Sequence, residues 1–169
     1  MAIQLTEEEI AEAGTGGVKT EVIARIIYDG FNNRVLEEAS QWVSDDCEWI
    51  DVPSGRSFHG PSGFLEFERA WIRAFPDAAI EVTNMIASHY LVATEFIGRG
   101  THDGPLITRA GQTIEPTGKA VELRCIEVTQ YLGGQIVRAR LYYDAYSLLS
   151  QLDALPREAA AEPIEQIES

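Results

Sequence analysis

Residues 135–152 read QIVRARLYYDAYSLLSQL, and the period of the apolar residues changes inside this stretch. Up to Tyr143 the pattern has a period of two, which is a strand. Ile136, Arg138, Arg140, Tyr142 and Asp144 then share one side, and Val137, Ala139, Leu141 and Tyr143 the other. From Tyr146 the apolar residues Leu148, Leu149 and Leu152 fall at helical spacing. Asp144 stands at the junction. It is either the N-cap of the helix, a role that Asp fills well, or an acid held at the end of a strand where it can act as a general base.

Working back from this strand, Gly133-Gly134 is a two-residue hairpin signal, and residues 120–132 read as the partner strand. If Leu132 pairs with Gln135, Arg140 opposes Glu127, Tyr142 opposes Cys125 and Asp144 opposes Leu123. One face is then mixed polar and aromatic, as ligand cavities tend to be. The other carries Val128, Val137, Ala139, Leu141 and Tyr143. A bulge anywhere in the pair would exchange the two faces. The same register predicts an ion pair from Arg140 to Glu127 or Asp144.

Two more strands are predicted before the hairpin, over residues 80–88 and 90–101. They are separated from it by a long loop over 103–119 that carries Gly104, Pro105, Gly111, Pro116 and Gly118. Loops of this length in a compact domain are often functional. The N-terminal half is helical. Val22, Ile23, Ile26, Ile27 and Phe31 mark one helix, and Leu36, Ala39 and Trp42 a second. Phe64, Phe67, Ala70, Trp71 and Ala74 mark a third, opened by Gly60-Pro61-Ser62-Gly63 and stopped at Phe75-Pro76-Asp77. A short strand over 47–52 lies between the second and third. Three helices followed by a strand meander is an α+β pattern. It predicts a curved antiparallel sheet covered on one face by three N-terminal helices. Residues 1–17 read as an N-terminal arm, 18–152 as the domain, and 153–169 as an acidic, disordered tail.

The chain has 169 residues, a net charge of −14 and a sequence pI near 4.5. This argues against nucleic acid, whose phosphates need clustered Lys and Arg, and against anionic membranes. Cys47 and Cys125 form neither a CxxC pair nor a disulfide framework. The N-terminus lacks the features of a signal peptide, so a soluble cytoplasmic protein is the expectation. No His/Cys/Asp spacing resembles a zinc site, and no Gly-rich phosphate loop follows a strand, so no metal or cofactor is expected.

Five short motifs stand in order along residues 18–152: Phe58-His59-Gly60-Pro61, Ala74-Phe75-Pro76-Asp77, Gly100-Thr101-His102-Asp103-Gly104-Pro105-Leu106, Pro116-Thr117-Gly118-Lys119, and Tyr142-Tyr143-Asp144-Ala145 with Leu148-Leu149-Ser150-Gln151-Leu152. In this order the chain resembles the SnoaL-like polyketide cyclases, part of the group of cone-shaped folds that includes nuclear transport factor 2 and ketosteroid isomerase. The resemblance implies a deep apolar pocket enclosed by a curved sheet. It also implies cofactor-free aldol chemistry, with an aspartate on the last strand serving as acid and base. The matching residue is Asp144, and the resemblance favours a pocket role for it over the cap.

Three candidate catalytic residues follow. Asp144 is the central acid. Tyr142, on its face, is either a hydrogen-bond donor to an enolate or a wall aromatic. His102 is either a second acid/base group or an organiser of the long loop. The expected pocket residues are Trp49, Asp51, Arg140, Glu127, Phe67 and Trp71. Asp51 is either a second carboxylate or a solvated strand-end acid, and Phe67 and Trp71 also fit helix-core spacing. The expected function is acid/base chemistry on a hydrophobic, polyketide-like carbonyl compound, such as aldol cyclisation or isomerisation. One alternative is a noncatalytic domain that binds a small apolar or aromatic molecule. Another is an epoxide hydrolase using Arg140, Asp144 and Asp51 or Glu95. A homodimer or larger assembly through the apolar sheet face is also expected.

Overall fold

A computed structural model of the protein describes residues 19–155. The expected arm at 1–17 and the tail from 156 onward lie outside the described residues. In chain order the elements are α1 (Thr20–Asn33), α2 (Leu36–Ser40), β1 (Val43–Asp51), β2 (Arg56–His59), α3 (Gly60–Ala74), β3 (Ala79–Ala87), β4 (Leu91–Thr101), β5 (Leu106–Ile107), β6 (Thr113–Ile114), β7 (Ala120–Leu132), β8 (Gln135–Tyr143) and α4 (Ala145–Gln151). The fold is α+β. Six strands form one sheet in the order β2-β1-β8-β7-β4-β3, and β5 and β6 make a small ribbon inside the long loop. Three details differ from the sequence reading. β2 occupies residues to which the sequence reading assigns no element, α2 ends before Trp42, and β1 runs parallel to β8 while the other neighbours are antiparallel.

The apolar stripe of α1 and the stripe of α3 pack on the inner face of the sheet. Ile23, Ile27 and Tyr28 from α1 meet Phe64 and Phe67 from α3 over Val92, Phe96, Tyr131 and Ile136. Each such side chain contributes roughly 2 kcal/mol on burial. Trp49 is buried under α3, with ring centroids 4.9 Å from Phe64 and 6.0 Å from Phe67. Gly30 allows α1 and α2 to close on each other, since a Cβ there would stand 2.7 Å from that of Ala39. The end of α1 is tied to β3 by a side chain that imitates a strand. The Asn32 amide donates to the Ile80 carbonyl and accepts from the Ile80 N–H, both at 2.8 Å.

The hairpin between β7 and β8 decides which side chains face inward. Gly133 and Gly134 have φ of 57° and 80°, the all-positive pair of a type I′ turn. Leu132 pairs with Gln135 and Tyr131 with Ile136, as the sequence predicts. The register then slips, so that Gln130 pairs with Arg138 and Val137 is the extra residue of a bulge. Beyond it Glu127 opposes Leu141, and Cys125 opposes Tyr143. Ala139, Leu141 and Tyr143 therefore turn inward with Leu123, Cys125, Glu127 and Thr129. Arg138, Arg140 and Tyr142 turn outward. The expected pairing of Arg140 with Glu127 does not form, because the bulge puts them on opposite sides of the sheet, and none forms with Asp144, whose carboxylate is bonded to the Tyr146 N–H instead. Among the described residues no helix is long and apolar enough to cross a membrane.

Candidate active site

A cavity of about 90 Å³ lies between α3 and the inner face of β4, β7 and β8. The end of α1 and residues 78–80 border it, and aromatic and aliphatic side chains make up most of its wall. Two carboxyl groups interrupt this apolar surface, Glu68 from α3 and Glu127 from β7. Glu127 is 4% exposed and Glu68 6%. Glu127 accepts a hydrogen bond from the Tyr28 hydroxyl of α1 at 3.0 Å. Burial pushes its carboxyl up to about 7, against the opposing pull of the Tyr28 hydroxyl. Burial also raises the Glu68 carboxyl well above the usual carboxylate range, and the neighbouring charge of Glu127 adds to this. Around the pair, burial pushes the Cys125 thiol up to about 12 and raises the Tyr28 and Tyr143 phenols, so these stay neutral at ordinary pH.

A second cavity of about 60 Å³ adjoins the first. Phe67, Trp71 and Tyr143 line both cavities. Trp71 meets Tyr143 edge to face, with centroids 5.4 Å apart and planes at 83°. The Tyr143 hydroxyl is 3.4 Å from Oδ2 of Asp51, which belongs to the second cavity. Asp51 is 7% exposed, and burial raises its carboxyl above the usual range while hydrogen bonds from Ser54 oppose this. It is a buried acid rather than a solvated strand end.

Of the residues predicted from sequence, Glu127, Phe67 and Trp71 line the main cavity. Trp49 does not line it but lies in the core against Phe67. Arg140 is on the outer face with its Nε hydrogen unpartnered among the described residues. Tyr142 is on that face too, 37% exposed. Asp144 is exposed, and its Oδ1 accepts the Tyr146 N–H at 2.9 Å, capping α4. The bulge leaves Asp144 on the outward alternation with Arg140 and Tyr142, and where the strand ends at Tyr143 its carboxylate caps the helix that follows. His102 is fully buried within the long loop. Its Nδ1 accepts the Thr117 N–H at 3.2 Å, and its carbonyl accepts from Thr117 and Gly118. Its ring packs on Phe75 at 5.3 Å, and burial lowers its proton affinity. His102 organises the loop and does not line the cavity. The set required for epoxide opening is not gathered. Arg140 and Asp144 lie outside, Asp51 is in the second cavity, and Glu95 is exposed on the outer face beside Asn84.

Glu68, Tyr28 and Tyr143 escaped the sequence reading. The signal for Glu68 was present. It stands four residues after Phe64 and three before Trp71, a charge set inside an apolar helical stripe. Among the described residues no group of three or more His, Cys, Asp and Glu side chains could hold a metal ion.

An α+β domain whose curved sheet and helices enclose an acid-bearing apolar cavity belongs to the ketosteroid isomerase-like class of folds. Within that class, a family model for SnoaL-like polyketide cyclases matches residues 21–152; the chain belongs to this family. Similar solved structures include AclR of Streptomyces galilaeus, described as a candidate hydroxylase. It has a TM-score of 0.67 and 21% identity, covering 80% of this chain and 96% of that one. IdmH of Streptomyces antibioticus, described as a candidate polyketide cyclase, has a TM-score of 0.63 and 25% identity over 79% and 97%. A protein of ketosteroid isomerase-like fold from Catenulispora acidiphila, solved with trimethylamine, has a TM-score of 0.66 and 14% identity over 82% and 100%. No curated protein matches the chain.

Proposed function

We propose that this protein is an acid/base enzyme acting on a compact hydrophobic carbonyl compound, with Glu127 as the proton-transfer group and no cofactor required. The observation that supports this most directly is a buried carboxyl, poised near neutrality, facing an otherwise apolar cavity. A group that titrates near the working pH is both an adequate base and an adequate acid. The two acids differ in surroundings. Glu127 has the Tyr28 hydroxyl to stabilise its anion, while Glu68 has no hydrogen-bond partner among the described residues. Unequal surroundings of this kind separate two carboxyls into a base and a neutral donor.

In this reading Glu127 takes a proton from the carbon next to the carbonyl. The protonated Glu68 donates a hydrogen bond to the oxygen that becomes an enolate, and such donors act strongly in a dry cavity. The enolate either takes the proton back at another carbon, an isomerisation, or attacks a second carbonyl of the same molecule, an aldol closure. Two ionisable groups in the cavity favour chemistry over binding alone. The cavity volume favours a single-ring substrate or the reactive end of a longer one. The test is exchange of α-hydrogens for deuterium, followed by NMR across a panel of small enolisable ketones and diketones. Catalysed exchange that E127Q lowers by about a hundredfold or more supports the reading. Exchange by E127Q within about threefold of the native rate rejects it.

We also propose that the outer face of the sheet joins two copies of the chain. It carries Ile86, Ile126 and Tyr142 at 69%, 38% and 37% exposure. Ala139, Leu141 and Tyr143, expected on this surface, are inside, so the contact rests on a different set of apolar residues.

A further inference from the structure

The cavity wall carries two buried acids, and its basic residue is already paired elsewhere. Arg99 is the one basic residue along its lining, and its guanidinium is held by Glu81 at 2.6 Å and Glu122 at 2.8 Å. The Glu68 carboxyl is therefore nine-tenths buried, faces the cavity and has neither a hydrogen-bond donor nor a counter-ion among the described residues. Phe31, Phe67, Trp71, Phe75, Phe96 and Tyr143 line the same cavity. Aromatic walls attract cations through the ring quadrupole, most strongly when the cation is desolvated. A bulky alkylammonium ion is weakly hydrated, and a carboxylate beside it supplies the charge that the rings cannot.

We propose that this cavity binds a small alkylammonium head group, with Glu68 as its counter-ion and the surrounding aromatic rings as its cage. This uses the same cavity as the proton-transfer reading but does not depend on it. Binding is coupled to a proton. As the cation enters, Glu68 gives up its proton, to solvent below about pH 7 and to an ionised Glu127 above it. Glu127, on β7, is the charged group nearest in kind, its carboxyl pushed up to about 7 by burial. Cys125 on β7, Tyr28 on α1 and Tyr143 on β8 keep their protons. One ammonium ion pairs with one carboxylate rather than two, because ionising one carboxyl holds the other neutral.

Isothermal titration of the full chain with choline and with 3,3-dimethylbutan-1-ol, which has the same shape without the charge, tests the assignment. The proposal expects choline to bind at least tenfold tighter than the alcohol at pH 7.5, and more weakly at pH 6. At pH 6, where Glu127 still holds its own proton, buffers of different ionisation enthalpy should report release of about one proton, and less at pH 7.5. E68Q should lose the preference for choline while still binding the alcohol. The wild-type comparison stands without the variant should E68Q fail to fold. Equal or tighter binding of the alcohol, choline affinity that does not rise with pH, or no choline binding at millimolar concentration would each overturn the proposal. Deuterium exchange on carbonyl compounds is unaffected by that outcome, so the two readings fail separately.

Discussion

Tyr28 and Glu127, 99 positions apart in sequence, meet through a 3.0 Å hydrogen bond from the phenol to Oε1 of the carboxylate. The helix that opens the domain and the strand near its end are thereby joined at an acid whose carboxyl is pushed up to about 7. The bond favours the ionised form of Glu127, and burial opposes it.

Y28F should remove this stabilisation of the anion and move the Glu127 carboxyl further up. The acidic limb of a pH–rate profile for α-hydrogen exchange should then shift to higher pH, with a smaller loss on the alkaline side. A limb that stays in place in Y28F would separate Tyr28 from the proton-transfer group.

Stability should fall as pH rises from about 5 to about 8. Glu127 is raised from 4.5 to about 7 on folding. Between those values the native state holds a proton that the unfolded chain has lost, so stability declines with pH. At 1.36 kcal/mol for each tenfold in proton affinity the loss approaches about 3 kcal/mol. Glu68 acts in the same direction. E127Q should flatten most of this slope and be more stable than the native chain above pH 8. Urea melts of both proteins at pH 5, 6.5 and 8 would show it; parallel slopes would contradict it.

D144N should leave both stability and turnover nearly unchanged, because Asn is as good an N-cap as Asp. D144A should cost about 1 kcal/mol through loss of the cap on α4, with turnover retained. A hundredfold loss of turnover in D144N would return Asp144 to the chemistry.

I126K, alone or with Y142K, should yield a monomer by light scattering at micromolar concentration where the native chain is a dimer. Both positions lie on the outer face, so the far-ultraviolet spectrum should not change. A native chain already monomeric under these conditions would remove the sheet-face contact.

Much of the scaffold could be read from local pattern. The stripes of α1 and α3 and the paired glycines at 133 and 134 each define an element without reference to anything distant. The bulge at Val137 could not be read this way. It arises where β8 must satisfy β7 on one side and β1 on the other, and the β1 pairing is also irregular between Val43 and Glu48. A slip of one residue there moved Arg140 and Tyr142 out of the candidate site and brought Tyr143 in. Glu127 stayed because it lies on β7, whose alternation does not pass through the bulge. Asp144 looked like a pocket acid from its motif, but the same bulge sets it on the outward side with Arg140 and Tyr142, where it caps α4. Glu68 was overlooked for a different reason: a single charge in an apolar stripe is easily taken for a surface residue.

The extra residue at Val137 also makes this cavity unusually easy to rewrite. Removing it would turn β8 over from Arg138 onward, carrying Arg140 and Tyr142 inside and Leu141 and Tyr143 out. Glu127 would then face a guanidinium and become a permanently charged, weakly basic carboxylate. Homologues that gain or lose one residue at this point would therefore differ in the chemistry of the chamber while keeping almost every side chain the same. In this scaffold an insertion of one residue is an alternative to mutating the active site.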